Sequence, residues 1–218
     1  MHSIERLIRV LEHAPLIPCS DFAYRVIADK WRDSPLSAIG AVQRGGRYNA
    51  PHTFPVLYSA DSQMTAMLEA EALFATPDGQ LQGVPRDPDL VLTIKCELLR
   101  VLDLTAPDLY SDLGTSREEL VSLNPSRFLL NARGEETPTQ QLGSACSHTG
   151  KISALKVPSA AHPGGFCLDI LLDSLVVGEQ IFVLDKSGRI QAEVKGWIPK
   201  PSSRVIRPTT LHSTLKQS

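Results

Sequence analysis

The chain has 218 residues, 42% of them apolar and 21% charged, with a formal net charge of −2. That balance suits a globular protein with a buried core and excludes global disorder. The small net charge gives no bulk attraction to nucleic acid or an anionic membrane, and no stretch approaches the roughly 20 apolar residues that span a bilayer.

Ile4, Leu7, Ile8 and Leu11 fall at helical spacing, and Glu5, Arg6 and Arg9 interrupt any continuous apolar run. The spacing predicts a short amphipathic helix rather than a signal peptide. Phe22, Tyr24 and Val26 alternate as in a short strand, followed by a loop through Gly40 to Gly45-Gly46-Arg47-Tyr48-Asn49. Val56-Leu57-Tyr58-Ser59-Ala60 reads as a strand. Asp61 or Ser62 then N-caps a helix running to Thr76, closed by a turn at Pro77-Asp78-Gly79. Leu90, Leu92, Ile94, Cys96 and Leu98 alternate with Val91, Thr93, Lys95 and Glu97, the clearest half-buried strand. Thr115-Ser116-Arg117-Glu118 reads as a capping box. Thr137-Pro138 opens a further helix that Gly150 closes. Strands are expected again at 152–157, 166–172, 180–184 and 190–194. The class is α+β, a mixed-sheet core with inserted helices. Residues 1–198 are expected to form one domain. Residues 199–218 are a basic tail, for after Glu193 only Lys195, Lys200, Arg204, Arg207 and Lys216 carry charge. That tail is either a solvated end or a strip for an acidic partner.

Cys19, Cys96, Cys146 and Cys167 are scattered and form no C-x-x-C pair, as expected of free thiols in a reducing cytoplasm. No zincin, P-loop, dinucleotide-fold or nucleophile-elbow motif occurs, and the six histidines lack metal-ligand spacing. Three features remain. Gly45-Gly46 lets backbone approach another group closely, and Arg47 offers a planar fork for phosphate or carboxylate, or else a surface salt bridge. Tyr48 and Tyr58 offer flat faces to a planar heterocycle. Glu69 lies on a helix apolar nearly all round, so it is either a buried, partnered carboxylate or one that reaches water at the helix edge. Ser159, in Lys156-Val157-Pro158-Ser159-Ala160, ends a strand as a functional hydroxyl or a turn residue.

Together these segments resemble the RES domain, a family named for an arginine, a glutamate and a serine. Tyr24-Arg25-Val26 resembles its first arginine segment. The central block runs from Gly45-Gly46-Arg47-Tyr48-Asn49 through Val56–Ala60 to Glu69, and Val157-Pro158-Ser159-Ala160 matches the serine segment, so that the likeness spans Phe22 to Leu172. It implies a compact fold related to ADP-ribosyltransferases, NAD as substrate without a metal, and a toxin paired with an Xre-type antitoxin. Arg25, Arg47, Tyr58, Glu69 and Ser159 would then form the NAD site with Arg47, Glu69 and Ser159 catalytic, and Tyr48 and Asn49 would support it. Phosphate, water or a protein side chain could accept the ADP-ribosyl group, and a binding module that keeps the fold without catalysis is the alternative. The chain departs from the family at Ala50-Pro51-His52, where a Pro-Pro-Gly type turn is common, and at Phe166-Cys167, where an asparagine is expected.

Overall fold

The computed structural model describes residues 1–75, 80–84, 87–122, 124 and 126–197. The turn expected at Pro77-Asp78-Gly79 and the basic tail 199–218 lie outside the described residues. In chain order the elements are α1 (Ile4–Leu11), β1 (Ile17–Ala28), α2 (Ile39–Arg44), β2 (Val56–Ala60), α3 (Gln63–Glu69), β3 (Leu73–Ala75), β4 (Leu81–Gly83) and β5 (Asp89–Asp103). There follow α4 (Tyr110–Leu113), α5 (Arg117–Val121), α6 (Arg127–Ala132), α7 (Pro138–Thr149), β6 (Ala154–Pro158), β7 (Phe166–Leu171), β8 (Gln180–Val183) and β9 (Glu193–Lys195). This is the α+β class expected, with helices inserted between strands.

The main sheet has the order β1-β2-β7-β6-β5-β8-β9. β1 pairs with β5 as well, from Ile17 opposite Val101 to Ala28 opposite Asp89, so the sheet curls until β1, β2, β7, β6 and β5 form a closed ring. Ring closure explains why β1 and β5 are far longer than the alternation at Phe22–Val26 and Leu90–Leu98 indicates. Past Leu98, β5 goes on to pair in parallel with β6 at Val101, Leu102 and Asp103. A parallel neighbour requires a crossover, and α4 to α7 occupy it.

Two cores flank the strands. Ala23, Leu57, Leu92, Ile94, Ala154, Leu168 and Ile170 fill one, and Val56, Leu155, Val157 and Leu171 face the other, against Leu7 and Leu11 of α1 and Leu142, Ala145 and Cys146 of α7. Ala154 and Leu155 point to opposite cores, as neighbours in a strand must. The four cysteines are unpaired. Among the described residues no helix is long and apolar enough to cross a membrane.

Local expectations are corrected at four places. The helix opening at Ser62 ends at Glu69 rather than near Thr76, and Leu73–Ala75 is a strand. Glu71 adopts a left-handed backbone (φ 54°), with Glu71 N–H bonded to Leu68 O and Ala72 N–H to Met67 O. These bonds close a Schellman motif without the glycine that usually marks one. The loop through Gly40 contains α2, which ends at Gly45 with φ 70°. Ser116, not Thr115, caps α5, accepting from Glu119 N–H, while Thr115 donates to the Glu119 carboxylate. The last strand is Glu193–Lys195 rather than 190–194. The Thr137-Pro138 start has a complete capping box with Gln140, and Gly150 ends the helix in the left-handed region, as expected.

Candidate active site

A cavity of about 480 Å³ lies over the sheet face carrying Tyr58, Cys167 and Asp169, walled by α2, α3 and by Ser122, Asn124, Arg127, Thr137 and Thr139. Its size is that of a small-molecule pocket. The loop after α2 brings Arg47 to it. Gly45 takes a positive φ, and a side chain at Gly46 would place its Cβ 2.2 Å from the Tyr58 hydroxyl, so both glycines are required by the backbone path.

That loop is anchored from below. Asn49, fully buried, donates to Ala41, Ala50 and Phe54 carbonyls and accepts from the Tyr58 hydroxyl at 2.8 Å. Tyr58 also accepts from Tyr48 N–H, and the Tyr48 hydroxyl donates to Leu120 O at 3.0 Å. His52 has φ 61° where the family commonly places glycine, so the departure at Ala50-Pro51-His52 is accommodated by a histidine in the left-handed region. Gln140 of α7 completes the anchor, donating to Gly46 O and Asn49 O at 3.1 Å each and accepting from Thr137 N–H and Asn131. Gln140→Leu leaves those buried groups without partners. We expect a loss on the order of 3 kcal/mol, read as a shift in the urea midpoint, and a midpoint within 0.5 kcal/mol of wild type contradicts the anchor.

Glu69 stands at the end of α3, its side chain 21% exposed. Its Oε1 accepts from Ser159 Oγ (2.6 Å), Ala160 N–H (2.8 Å) and Ala161 N–H (3.2 Å), and Oε2 faces Arg47 Nη2 at 3.3 Å. Burial works to raise its pKa. The Ser159 bond, the Arg47 charge and the two N–H groups outweigh it and hold the carboxyl below its ordinary value. Glu69 therefore stabilises the fold above the ordinary carboxylate range, a contribution lost as the pH falls through that range to the lowered pKa of the folded state. Oε2 keeps lone-pair capacity for a ligand hydroxyl.

Arg25, Arg44, Arg47 and Arg127 all line the cavity. Arg25 donates Nη2 to Ser37 O at 3.0 Å, but its buried Nη1 has no partner among the described residues, and neither does Arg47 Nε. Burial pulls Arg25 down to about 10. For Arg47 burial acts in the same direction, but Glu69 foremost, and Asp169, leave its pKa raised. Buried cationic donors without protein partners are costly to the fold alone, and an anionic ligand would satisfy them.

The structure thus brings Arg25, Arg47, Tyr58 and Glu69 to one cavity. Ser159 sits behind Glu69, and Tyr48 and Asn49 lie beneath the floor without lining it. Sequence reasoning missed Gln140, though it completes a visible capping box. It also missed Asp169, a lone acid in the apolar run Phe166-Cys167-Leu168-Asp169-Ile170-Leu171. Among the described residues no group of His, Cys, Asp and Glu is arranged to hold a metal.

The RES-domain family model matches residues 22–179, and the chain belongs to this family. Proteins named NAD(+) phosphorylase MbcT from Mycobacterium bovis and Mycobacterium tuberculosis are 33% identical to it over 120 residues. That match covers 53% of this chain and 61% of each relative, so the chain spans less than two thirds of their length. The crystal structure of the M. tuberculosis MbcT-MbcA toxin-antitoxin complex contains a chain of similar fold. Its TM-score is 0.58 at 22% identity, covering 88% of this chain and 93% of that one.

Proposed function

We propose that this protein cleaves the nicotinamide–ribose bond of NAD, passing the ADP-ribosyl group to phosphate, and so acts as an NAD-depleting toxin. The observation that carries this reading is Glu69, fixed as an anion by Ser159, two backbone N–H groups and Arg47 beside arginine donors that have no partner among the described residues. Breaking a glycosidic bond builds oxocarbenium character on the ribose. A preorganised carboxylate that accepts from the ribose hydroxyls stabilises that charge most as it develops. Arg25, Arg44 and Arg47 supply donors for the pyrophosphate, and Tyr58 a flat surface for the pyridine ring. Nicotinamide leaves with the electron pair of the C–N bond and a phosphate oxygen takes its place at the anomeric carbon, giving ADP-ribose phosphate. Phosphate is preferred as acceptor because of the activity named for the mycobacterial relatives.

The toxin-antitoxin complex of similar fold supports an antitoxin as partner; we take that partner to be of the Xre type, from the family pattern, and the site of action to be the cytoplasm. We take residues 1–198 as the RES-type unit and 199–218 as its basic tail. The test is incubation of the purified chain with NAD, with and without phosphate, following nicotinamide and the mass of the ADP-ribosyl product. Phosphorylated ADP-ribose is expected; free ADP-ribose assigns water as acceptor. No release from a folded protein overturns cleavage with phosphate or water as acceptor, in favour of a protein acceptor or a binding module.

A further inference from the structure

The cavity floor holds an acid that the proposed reaction does not use. Asp169 sits in the middle of β7, paired with Tyr58 of β2 on one side and Leu155 of β6 on the other. It is 2% exposed, it lines the cavity, and its Oδ1 has no hydrogen-bond partner among the described residues. An inner strand cannot swing the side chain out to water. A buried carboxyl oxygen without a partner is costly to the fold alone, so its partner is to be sought in the ligand.

The charged and titratable groups around it say which part of the ligand. Arg47, on the loop after α2, favours the ionised form, and Glu69 of α3 opposes it. Tyr48 and Tyr58, both raised by burial, and Cys167 on its own strand, also raised, are neutral neighbours. Burial dominates, pushing Asp169 up to about 8, so the neutral acid prevails at pH 7. A carboxyl group so placed is no seat for phosphate, which the cavity's arginines suit better. A neutral acid has one donor and one acceptor side by side, the complement of a primary carboxamide. Tyr58 lies directly across the strand pair, where side chains stand roughly 5 Å apart. A pyridine ring against Tyr58 therefore has its edge at Asp169.

We propose that Asp169 is a positioning residue that reads the carboxamide of the departing pyridine, donating its O–H to the amide oxygen and accepting from the amide N–H. This rests on NAD being the substrate. It makes the site selective for the amide over the corresponding acid, and it makes productive binding depend on the proton that Asp169 carries.

The experiment compares wild type, Asp169→Asn and Asp169→Ala with NAD and with its nicotinic acid analogue from pH 6 to pH 9.5, with circular dichroism of each variant. For wild type, kcat/KM for NAD is expected to fall about tenfold per unit above pH 8 through a rising KM, because the neutral form is lost there. Wild type is expected to prefer NAD over the analogue by at least about tenfold. Asp169→Asn, which presents the same donor and acceptor without a titrating proton, loses the alkaline fall. Asp169→Ala loses the preference between the two dinucleotides, and kcat/KM for NAD drops about 10- to 100-fold. An unaltered preference together with an unaltered alkaline fall in folded Asp169→Ala overturns the assignment while leaving NAD cleavage standing. Wild type that neither binds nor cleaves NAD overturns the reaction itself, and this assignment with it. Should Asp169→Ala fail to fold, the pH profile of Asp169→Asn decides alone.

Discussion

Replacing Glu69 with Gln is expected to lower the rate of nicotinamide release by a factor of about 1,000 or more while leaving the fold intact. The side chains differ by one charge and one NH₂ group. The four hydrogen bonds to Glu69 described above are all made by donors, three on Oε1 and one, from Arg47, on Oε2. Gln can keep its oxygen toward Ser159, Ala160 and Ala161, so the loop from Ser159 stays docked. Its NH₂ then meets Arg47 as donor against donor, and the carboxylate charge is gone. Loss of a preorganised group that stabilises developing charge costs two to three orders of magnitude in other enzymes, and the carboxylate here is also the anchor for Arg47. Single-turnover nicotinamide release with unchanged circular dichroism checks it. A folded Gln variant with wild-type rates removes Glu69 from the chemistry.

The largest effect on stability is expected at a residue that touches no ligand. Gly143 lies in α7, and a Cβ there would stand 1.7 Å from the carbonyl oxygen of Tyr48. In an isolated helix, alanine is favoured over glycine by about 1 kcal/mol, so propensity predicts a gain from Gly143→Ala. The contact predicts the opposite, because the atom to be displaced is backbone belonging to the loop that carries Arg47. Overpacking of this kind costs about 3 kcal/mol or more, and the urea midpoint should fall accordingly. A stabilised Gly143→Ala protein would show that α7 and the Arg47 loop are not in contact as described.

How far the sequence could be read follows from which rules the chain obeys locally. Glu69 was legible through the order of motifs that resembles the RES domain, because the apolar helix alone left it open between a partnered carboxylate and one that reaches water. The start of α7 was legible because Thr137-Pro138 carries its cap within four residues. The end of α3 was hidden: its Schellman turn uses Glu71 where glycine is usual, so nothing in the composition marks the stop. The lengths of β1 and β5 were hidden for another reason. They are set by ring closure between segments about seventy positions apart, and alternation near Phe22 and Leu90 says nothing of it. Asp169 needed both kinds of knowledge, since a lone acid in an apolar strand is visible but the cavity above it is not.

The wiring around Glu69 also bears on the order of events during synthesis. Arg25, Arg47 and Glu69 all emerge in the first third of the chain, yet Ser159, which holds Glu69, follows 90 residues later, and Gln140, which holds the Arg47 loop, follows about as late. The ring of strands likewise awaits β6 and β7. Ser159 and the strands β6 and β7 are therefore made only after more than two thirds of the polypeptide, so the candidate site cannot be assembled before then. On the function proposed above, the nascent chain stays inert for most of its translation, which gives a neutralising partner time to be made.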